Sequence, residues 1–311
     1  MSTDFDIQGH RGALAHKPEN TLPSFEVAID VGATSVETDL HLTRDGVPVL
    51  LHDPRISAAA CRVEDNAIPL SQAPFVSSLT LAQLRCCRAD RNRDTHRFPN
   101  QDASVTPLAQ WYAEQQRIDP FTPPTLADLF AFTAVYAGPA GASAGKTDEQ
   151  RARAARFRFD LELKRVPYHP LLINDGYTGE RPGLFEEKIV EAVRAARVVS
   201  RTTVRSFDHR CVRFLRQLEP GLTGAVLTAI VAPVSPGELA RATDASIYCP
   251  NYEFLDAQQV QSAHAAGVRV LPWTVNDPDD WERLLSWQVD GITTDYPDRL
   301  GTWLRGRNVS V

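Results

Sequence analysis

Six polar residues of the chain lie where strand-like apolar runs end. In the segments FDIQGHRG, ATSVETDLHL, VPVLLHD and FRFDLELK they are His10, Arg11, Glu37, Asp39, His52 and Glu162. Imidazoles transfer protons, carboxylates bind divalent cations and guanidinium groups bind phosphates. If the ends of these strands share one rim, the six side chains meet in one pocket. The chemistry that such a pocket suits is metal-assisted cleavage of an anionic ester.

The carboxylates are spaced for a common face. Glu37 and Asp39 lie two apart in a strand, as do Glu162 and Lys164, so each pair points to one side of its strand. The alternative is a solvated strand face, but both faces of a parallel barrel strand are normally covered. A bare carboxylate there would be costly without a partner or a metal. Three carboxylates without cysteine ligands predict a site for one divalent cation, Mg²⁺ or Ca²⁺.

A short hairpin should bring His52 to these acids. Only residues 43–46 separate ATSVETDLHL from VPVLLHD, which is too short for a parallel crossover, so the second strand must return antiparallel. A four-residue loop places His52 opposite Glu37, and a two-residue Asp-Gly loop places it opposite Asp39. A three-residue loop with a glycine bulge would spoil both registers. Two of the three turns therefore predict cross-strand pairing of His52 with a carboxylate.

The remaining candidate groups suit the binding and cleavage of an anionic phosphate ester. Arg11 and Lys164 are expected to contact a phosphate. His10 and His52 would share the proton transfers, one activating the nucleophile and the other protonating the leaving oxygen, with the two assignments left open. Trp273, in LPWTVN, is either a core aromatic or a wall against an apolar part of the substrate. The other histidines are expected to have structural roles: His16, His41, His96, His169, His209 and His264.

The elements that must position these residues alternate along the chain. Strand-like and helix-like segments form about eight β-then-α units, which predicts a single (β/α)₈ barrel over residues 1–311. Residues 54–124 lack lasting periodicity and are interpreted as an insertion after the second-strand hairpin, with one short helix near residues 78–85. Residues 138–153 are small and polar, as in a mobile surface loop, and residues 165–184 have the composition of a lid.

Composition excludes several classes of protein. A net charge of −6 without a basic run argues against a nucleic-acid partner, and no apolar run reaches the roughly 18 residues of a membrane span. Five cysteines without a CxxC pair argue against disulfides and zinc. The first residues lack a signal-peptide pattern, so a cytoplasmic location is expected, with a trimmed periplasmic form left open. Oligomeric state cannot be read from the sequence.

The motifs resemble those of the glycerophosphodiester phosphodiesterase family, within the phospholipase C-like phosphodiesterase barrels. The resemblance is carried, in order, by HRG (10–12), PENT (18–21), ETD, the TRDG turn, HD (52–53), LELK, WTVN and ITTDYP (292–297). It implies hydrolysis of glycerophosphodiesters to sn-glycerol 3-phosphate and an alcohol. It also implies His10 and His52 as general acid and base.

For the other positions the resemblance implies a divalent metal on Glu37, Asp39 and Glu162. The phosphate would then lie against Arg11 and Lys164. Two other functions remain open: a related phospholipase acting on lipid phosphodiesters, and a catalytically silent barrel that binds a phosphate ligand. A zinc barrel of the amidohydrolase type is disfavoured because the first strand lacks an HxH pair.

Overall fold

Parallel strands arranged as a barrel dominate the structure. The computed structural model describes residues 5–63 and 68–311. Its barrel strands are β1 (Asp6–His10), β2 (Ser35–Leu42), β6 (Arg158–Leu163), β7 (Thr202–Ser206), β8 (Thr223–Thr228), β9 (Ile247–Pro250), β10 (Arg269–Val270) and β11 (Gly291–Thr294). Three short strands lie outside this set: β3 (Pro48–Leu50), β4 (Arg62–Val63) and β5 (Cys87–Arg88). The predicted (β/α)₈ barrel is confirmed.

The strand order explains how distant residues meet. Along the sheet the order is β10-β9-β8-β7-β6-β2-β1-β11, with parallel pairing throughout. Backbone hydrogen bonds of 2.9–3.0 Å then join residues 270–275 to residues 290–293 and bring the two ends of the sheet together. Parallel strands deliver their carboxyl ends to the same mouth, which is where barrel enzymes carry their active sites.

Helices cover the outside of the barrel. They are α1 (Leu22–Asp30), α2 (Leu81–Leu84), α3 (Pro107–Gln116), α4 (Leu126–Ala137), α5 (Pro139–Ser143), α6 (Asp148–Arg156), α7 (Leu184–Ala196), α8 (His209–Leu218), α9 (Pro236–Thr243), α10 (Ala257–Ala265), α11 (Pro278–Ser286) and α12 (Pro297–Arg305). Short 3₁₀ turns occupy Leu70–Gln72, Val76–Ser78, Pro170–Leu172, Val199–Arg201 and Tyr252–Phe254. Within the described ranges, no helix is long and apolar enough to cross a membrane.

Helix α1 shows how local sequence sets these elements. Thr21 caps it by accepting a hydrogen bond from the backbone N–H of Ser24, as N-cap threonines do. Leu22, Phe25 and Ile29 recur at helical spacing and are buried against the barrel. Helix α1 therefore begins where the loop of residues 11–21 ends, and it holds that loop at the carboxyl end of β1.

The predicted register of the hairpin is wrong. Strand β3 pairs antiparallel with β2 through Leu40 and Leu50, and Thr43 closes the turn by donating its backbone N–H to the carbonyl of Val47 at 3.0 Å. The turn thus has three residues, with Gly46 at φ +79°, a left-handed conformation that favours glycine. Extending this register sets Thr38, and neither carboxylate, opposite position 52.

Two further segments differ from the sequence interpretation. Residues 138–153, expected to form a mobile loop, fold into α5 and most of α6, because Thr147 caps α6 and Lys146 is buried against acids of α1. In residues 54–124 the expected short helix is α2, whereas α3 was not anticipated. That segment contributes no strand to the barrel among its described residues, which supports the proposal of an insertion within one barrel domain.

Candidate active site

Three buried carboxylates form the floor of the site. Glu37 and Asp39 alternate along β2 and share a face, and β6 pairs Asp39 directly with Glu162. One oxygen of each of the three side chains lies within 4.8 Å of the others. Each residue is buried, with at most 7% of its surface exposed. Three carboxylates this close together and this deeply buried cannot all carry uncompensated negative charge. They must share protons, or cationic side chains or a metal ion must balance their charge.

The surroundings shift the pKa values of Glu37 and Asp39 in opposite directions. Burial, and then Asp39, raises the pKa of Glu37 to about 8. One of its oxygens, Oε1, has no hydrogen-bond partner and lies 3.4 Å from Nη2 of Arg205. Burial alone would raise the pKa of Asp39, but Lys164 and Arg11 hold it well below its usual range. An unsatisfied buried carboxylate oxygen beside two further carboxylates fits a hard divalent cation.

Two cations line the acids on the side of the mouth. Arg11 follows β1 in a left-handed conformation (φ 52°), with its Nε 3.2 Å from Asp39 and its Nη1 bonded to Glu19 at 2.7 Å. Lys164, one residue beyond β6, donates to Glu162 at 2.8 Å and lies 3.3 Å from Asp39. Both cations are mostly buried, so an anion that reaches them meets little competing water.

His10 is held from behind by a buried aspartate. Its Nδ1 lies 2.5 Å from Oδ1 of Asp295, and its Nε2 lies 3.9 Å from Oε2 of Glu37. Burial, and then the charge of Arg11, lowers the pKa of His10. The lowered pKa favours the neutral imidazole, and the contact at Nδ1 leaves Nε2 facing Glu37.

His52 lines the same cavities as His10 and is more exposed. Its Nδ1 lies 2.8 Å from Oδ1 of Asp53, and 33% of its side chain is accessible. Because β3 ends at Leu50, the chain at position 52 is free of the strand ladder and turns into the mouth. His52 therefore reaches the cavities that His10 and Arg11 line, although the register expected for it is wrong.

Two cavities meet at these histidines. One, of about 310 Å³, takes half of its lining residues from the 54–124 segment, and the other, of about 450 Å³, is lined by Glu162 and Lys164 among others. Trp273 lines the larger cavity, donates Nε1–H to the carbonyl of Cys249 at 2.9 Å, and packs edge-on against Phe207. Its ring is thus both anchored in the barrel and presented to the cavity.

The structure brings all eight predicted site residues to one mouth, and it adds others that the residue patterns did not single out. The added residues are Glu19, Asp53, Arg93, Arg97, Arg205, Asn276 and Asp295. Glu19, Asp53, Asn276 and Asp295 lie inside the PENT, HD, WTVN and ITTDYP motifs, so a signal for them was available. A charged Arg205 inside an apolar strand was a weaker signal, and Arg93 and Arg97 had none.

This combination of fold and site defines a class: a (β/α)₈ barrel with acids, histidines and anion-binding cations at the carboxyl ends of its strands, as a phosphodiester hydrolase requires. Residues 10–158 and 177–299 match the glycerophosphoryl diester phosphodiesterase family. The chain therefore belongs to that family of phosphoric diester hydrolases, as its motifs predict.

Individual relatives are similar to this chain over nearly its whole length. The chain is 27% identical to a glycerophosphodiester phosphodiesterase of Caldanaerobacter subterraneus subsp. tengcongensis over 296 residues, covering 94% of this chain and 95% of the relative. A crystal structure from Silicibacter pomeroyi, provisionally named a glycerophosphoryl diester phosphodiesterase, superimposes on this chain with a TM-score of 0.77 at 26% identity. The match covers 100% of this chain and 96% of the Silicibacter chain.

A third comparison shows the fold alone. The structure of an Oleispira antarctica phosphodiesterase superimposes with a TM-score of 0.68 at 20% identity, covering 97% of each chain. That protein was solved in complex with its product, sn-glycerol-3-phosphate. The barrel of this chain is thus shared with an enzyme that holds a glycerol phosphate.

Proposed function

We propose that this protein is a metal-dependent hydrolase that converts glycerophosphodiesters to sn-glycerol 3-phosphate and an alcohol. The observation that carries this proposal is the buried triangle of Glu37, Asp39 and Glu162, whose oxygens lie within 4.8 Å of one another at the mouth that His10 and His52 line. Family membership supports the reaction class. The product held by the Oleispira enzyme is the product that this proposal requires.

The side chains divide the work of the reaction. Arg11 and Lys164 bind the phosphate of the substrate, because both cations are mostly buried and are held in place by Asp39 and Glu162. Of His10 and His52, one removes a proton from the attacking nucleophile, which is either water or a neighbouring hydroxyl of the substrate, and the other gives a proton to the leaving alcohol oxygen. Positioned acid–base groups of this kind contribute about 10²–10⁴-fold to the rate.

The carboxylate triangle would hold one Mg²⁺ or Ca²⁺. When bound, such an ion neutralises charge on non-bridging phosphate oxygens in the transition state. Trp273 forms a flat wall of the larger cavity, against which the carbon skeleton of the substrate packs. Its indole N–H is already engaged by the Cys249 carbonyl, so the ring offers mainly its apolar face.

A substrate screen tests the proposal. The protein is stripped with a chelator, and release of sn-glycerol 3-phosphate is followed from glycerophosphocholine, glycerophosphoethanolamine, glycerophosphoglycerol and glycerophosphoinositol after Mg²⁺ or Ca²⁺ is added. We expect release that depends on added metal. Full activity after exhaustive chelation would contradict metal dependence, and activity confined to lipid vesicles would favour the phospholipase alternative instead.

A further inference from the structure

Both candidate histidines are backed in the same way. In each, the imidazole Nδ1 contacts an aspartate oxygen, at 2.5 Å between His10 and Asp295 and at 2.8 Å between His52 and Asp53. These aspartates lie far apart in the chain, one after β11 and the other after β3. An aspartate on Nδ1 selects the tautomer and the orientation of an imidazole, and it leaves Nε2 for the reaction.

The second oxygen of each aspartate is bound by an arginine. Arg97 donates from Nη2 to Oδ2 of Asp295 at 2.9 Å, and Arg93 donates from Nη2 to Oδ2 of Asp53 at 2.5 Å. The two arginines lie four residues apart, within the 54–124 segment. One short stretch of chain thus supports two histidines that lie at or just beyond the ends of different strands, β1 and β3.

We propose that Arg93 and Arg97 are positioning residues that clamp Asp53 and Asp295 and thereby orient His52 and His10, so that the 54–124 segment completes the catalytic site. This inference rests on the proposed function. Neither arginine transfers a proton or acts as a metal ligand. Each acts through the aspartate that it holds.

The clamp has a clear physical basis. A carboxylate bound at one oxygen only can rotate, whereas guanidinium on the second oxygen fixes its plane and therefore the direction of the bond to the imidazole. Asn276 adds a second donor to Asp295 at 2.6 Å. Reacting groups misplaced by about 1 Å lose about 10²-fold in rate, so orientation alone can matter this much.

The charges agree with this geometry. The hydrogen bond from His52 lowers the pKa of Asp53, and Arg93 lowers it further against the effect of burial. Burial alone would raise the pKa of Asp295, but His10 and Arg97 hold it below its usual value. Both aspartates are therefore ionised at neutral pH and accept the Nδ1–H bond at full strength.

The same stretch of chain also reaches the phosphate side of the site. Glu19 accepts from Nη1 of Arg93 at 3.0 Å and from Nη1 of Arg11 at 2.7 Å. Arg97 is about half exposed (51% of its side chain), whereas Asp295 is fully buried. Because most of Arg97 lies outside the core, its removal should disturb the site more than the fold.

Steady-state kinetics of Arg93→Ala and Arg97→Ala test the proposal, with the glycerophosphodiester that the wild type hydrolyses fastest. The matched control is Arg88→Ala, which removes another arginine of the 54–124 segment that is paired with Asp90 and Asp119, lines neither cavity and contacts neither aspartate. We expect kcat to fall by about tenfold or more in both test variants, with KM within about threefold of the wild type for Arg97→Ala, whereas KM for Arg93→Ala can also rise because Arg93 holds Glu19 beside Arg11. Arg88→Ala should retain the wild-type kcat.

Two further measurements separate positioning from substrate binding. Arg97→Lys should recover part of the lost kcat, because one donor suffices for the single bond to Asp295. In an Asp295→Asn background, Arg97→Ala should lower kcat by less than a further factor of about two, because Arg97 acts on His10 only through Asp295. A full additional loss in that background would overturn the proposal.

A readout without turnover completes the test. The imidazole Nδ1 protons of His10 and His52 are followed by ¹H–¹⁵N NMR; we expect Arg97→Ala to shift the His10 resonance, Arg93→Ala to shift that of His52, and Arg88→Ala to shift neither. Unchanged resonances, a wild-type kcat in the test variants, or an equal loss in the control would overturn the proposal. A wild type that releases no glycerol 3-phosphate would refute the proposed function alone, because the resonances would still report the clamp.

Discussion

At the scale of single residues, Glu37 is the least satisfied acid of the candidate metal site. Its Oε1 has no hydrogen-bond partner, and its other oxygen, Oε2, accepts the backbone N–H of Arg11 at 3.2 Å. Burial keeps its pKa near 8, so proton and metal compete for the same oxygens near neutral pH. Its carboxylate is therefore the group whose loss should be felt first in metal affinity.

Glu37→Gln should weaken the binding of Mg²⁺ or Ca²⁺ by about tenfold or more. Substitution of residues that only hydrogen-bond to metal ligands already lowers metal affinity by about 10–100-fold, and Glu37 is itself a candidate ligand. The fold should survive, because the amide has nearly the same shape. Isothermal titration calorimetry on chelator-stripped protein measures the change. Glu191→Gln, which alters an exposed acid of α7, is the control. Equal affinities for Glu37→Gln and the wild type would contradict the metal assignment.

His10→Ala and His52→Ala should each lower kcat by about 10²–10⁴-fold, because each removes one proton-transfer group. Circular dichroism should show an unchanged fold. His264→Ala is a suitable control, since that imidazole lies on α10 and pairs with Asp290 outside the site. A wild-type rate in either test variant would remove that histidine from the acid–base pair.

At the scale of elements, one buried acid joins three parts of the chain. Glu26 of α1 accepts backbone N–H groups of Leu108 and Ala109 at the start of α3, at 3.2 and 2.8 Å. It also receives Lys146 Nζ at 2.5 Å from the turn between α5 and α6. The 54–124 segment is thus attached to the barrel through α3, and residues 138–153 are attached through the same acid.

Lys146→Ala should lower the free energy of unfolding by about 3–5 kcal/mol, because it leaves Glu26 buried without its cation. Urea denaturation measures this loss. The matched control is Lys188→Ala on α7, whose exposed pair with Glu191 is expected to contribute less than about 1 kcal/mol. A loss no larger than that of the control would show that the turn is not an anchor.

At the scale of the whole molecule, the barrel concentrates charge that a metal ion would balance. Without metal, Glu37 titrates near pH 8 in the folded chain, against an ordinary value of 4.5. A raised pKa means that the folded state favours the proton. The stabilisation is therefore complete below about pH 4.5 and is lost as the pH rises through about 8.

The metal-free wild type should accordingly lose stability from about pH 5 to about pH 8, relative to Glu37→Gln, which does not titrate at this position. Urea denaturation of both proteins across this range, with a chelator present, gives the difference. Saturating Mg²⁺ or Ca²⁺ should remove the decline in the wild type, since a bound cation replaces the proton. A constant difference between the two proteins would contradict the raised pKa.

Much of the site could be predicted because residue types two apart in a strand share a face regardless of context. That rule places Glu37 with Asp39, and Glu162 with Lys164, from the sequence alone. The register of His52 could not be predicted, since three turn lengths fit the same four residues and the local sequence does not choose among them; the structure adopts the three-residue turn. Residues 138–153 were misread because Lys146 looks like a surface residue until its partners on α1 are known.

The sequence by itself determined the barrel, the eight candidate site residues and the family, because strand periodicity and motif order are local properties of the chain. Only the tertiary structure decided which further groups support them. Arg93 and Arg97 carry no local signal, and their roles follow from contacts with Asp53 and Asp295 across as many as 198 positions of chain. Pairings of that kind depend on how the 54–124 segment packs over the barrel, which no local pattern encodes.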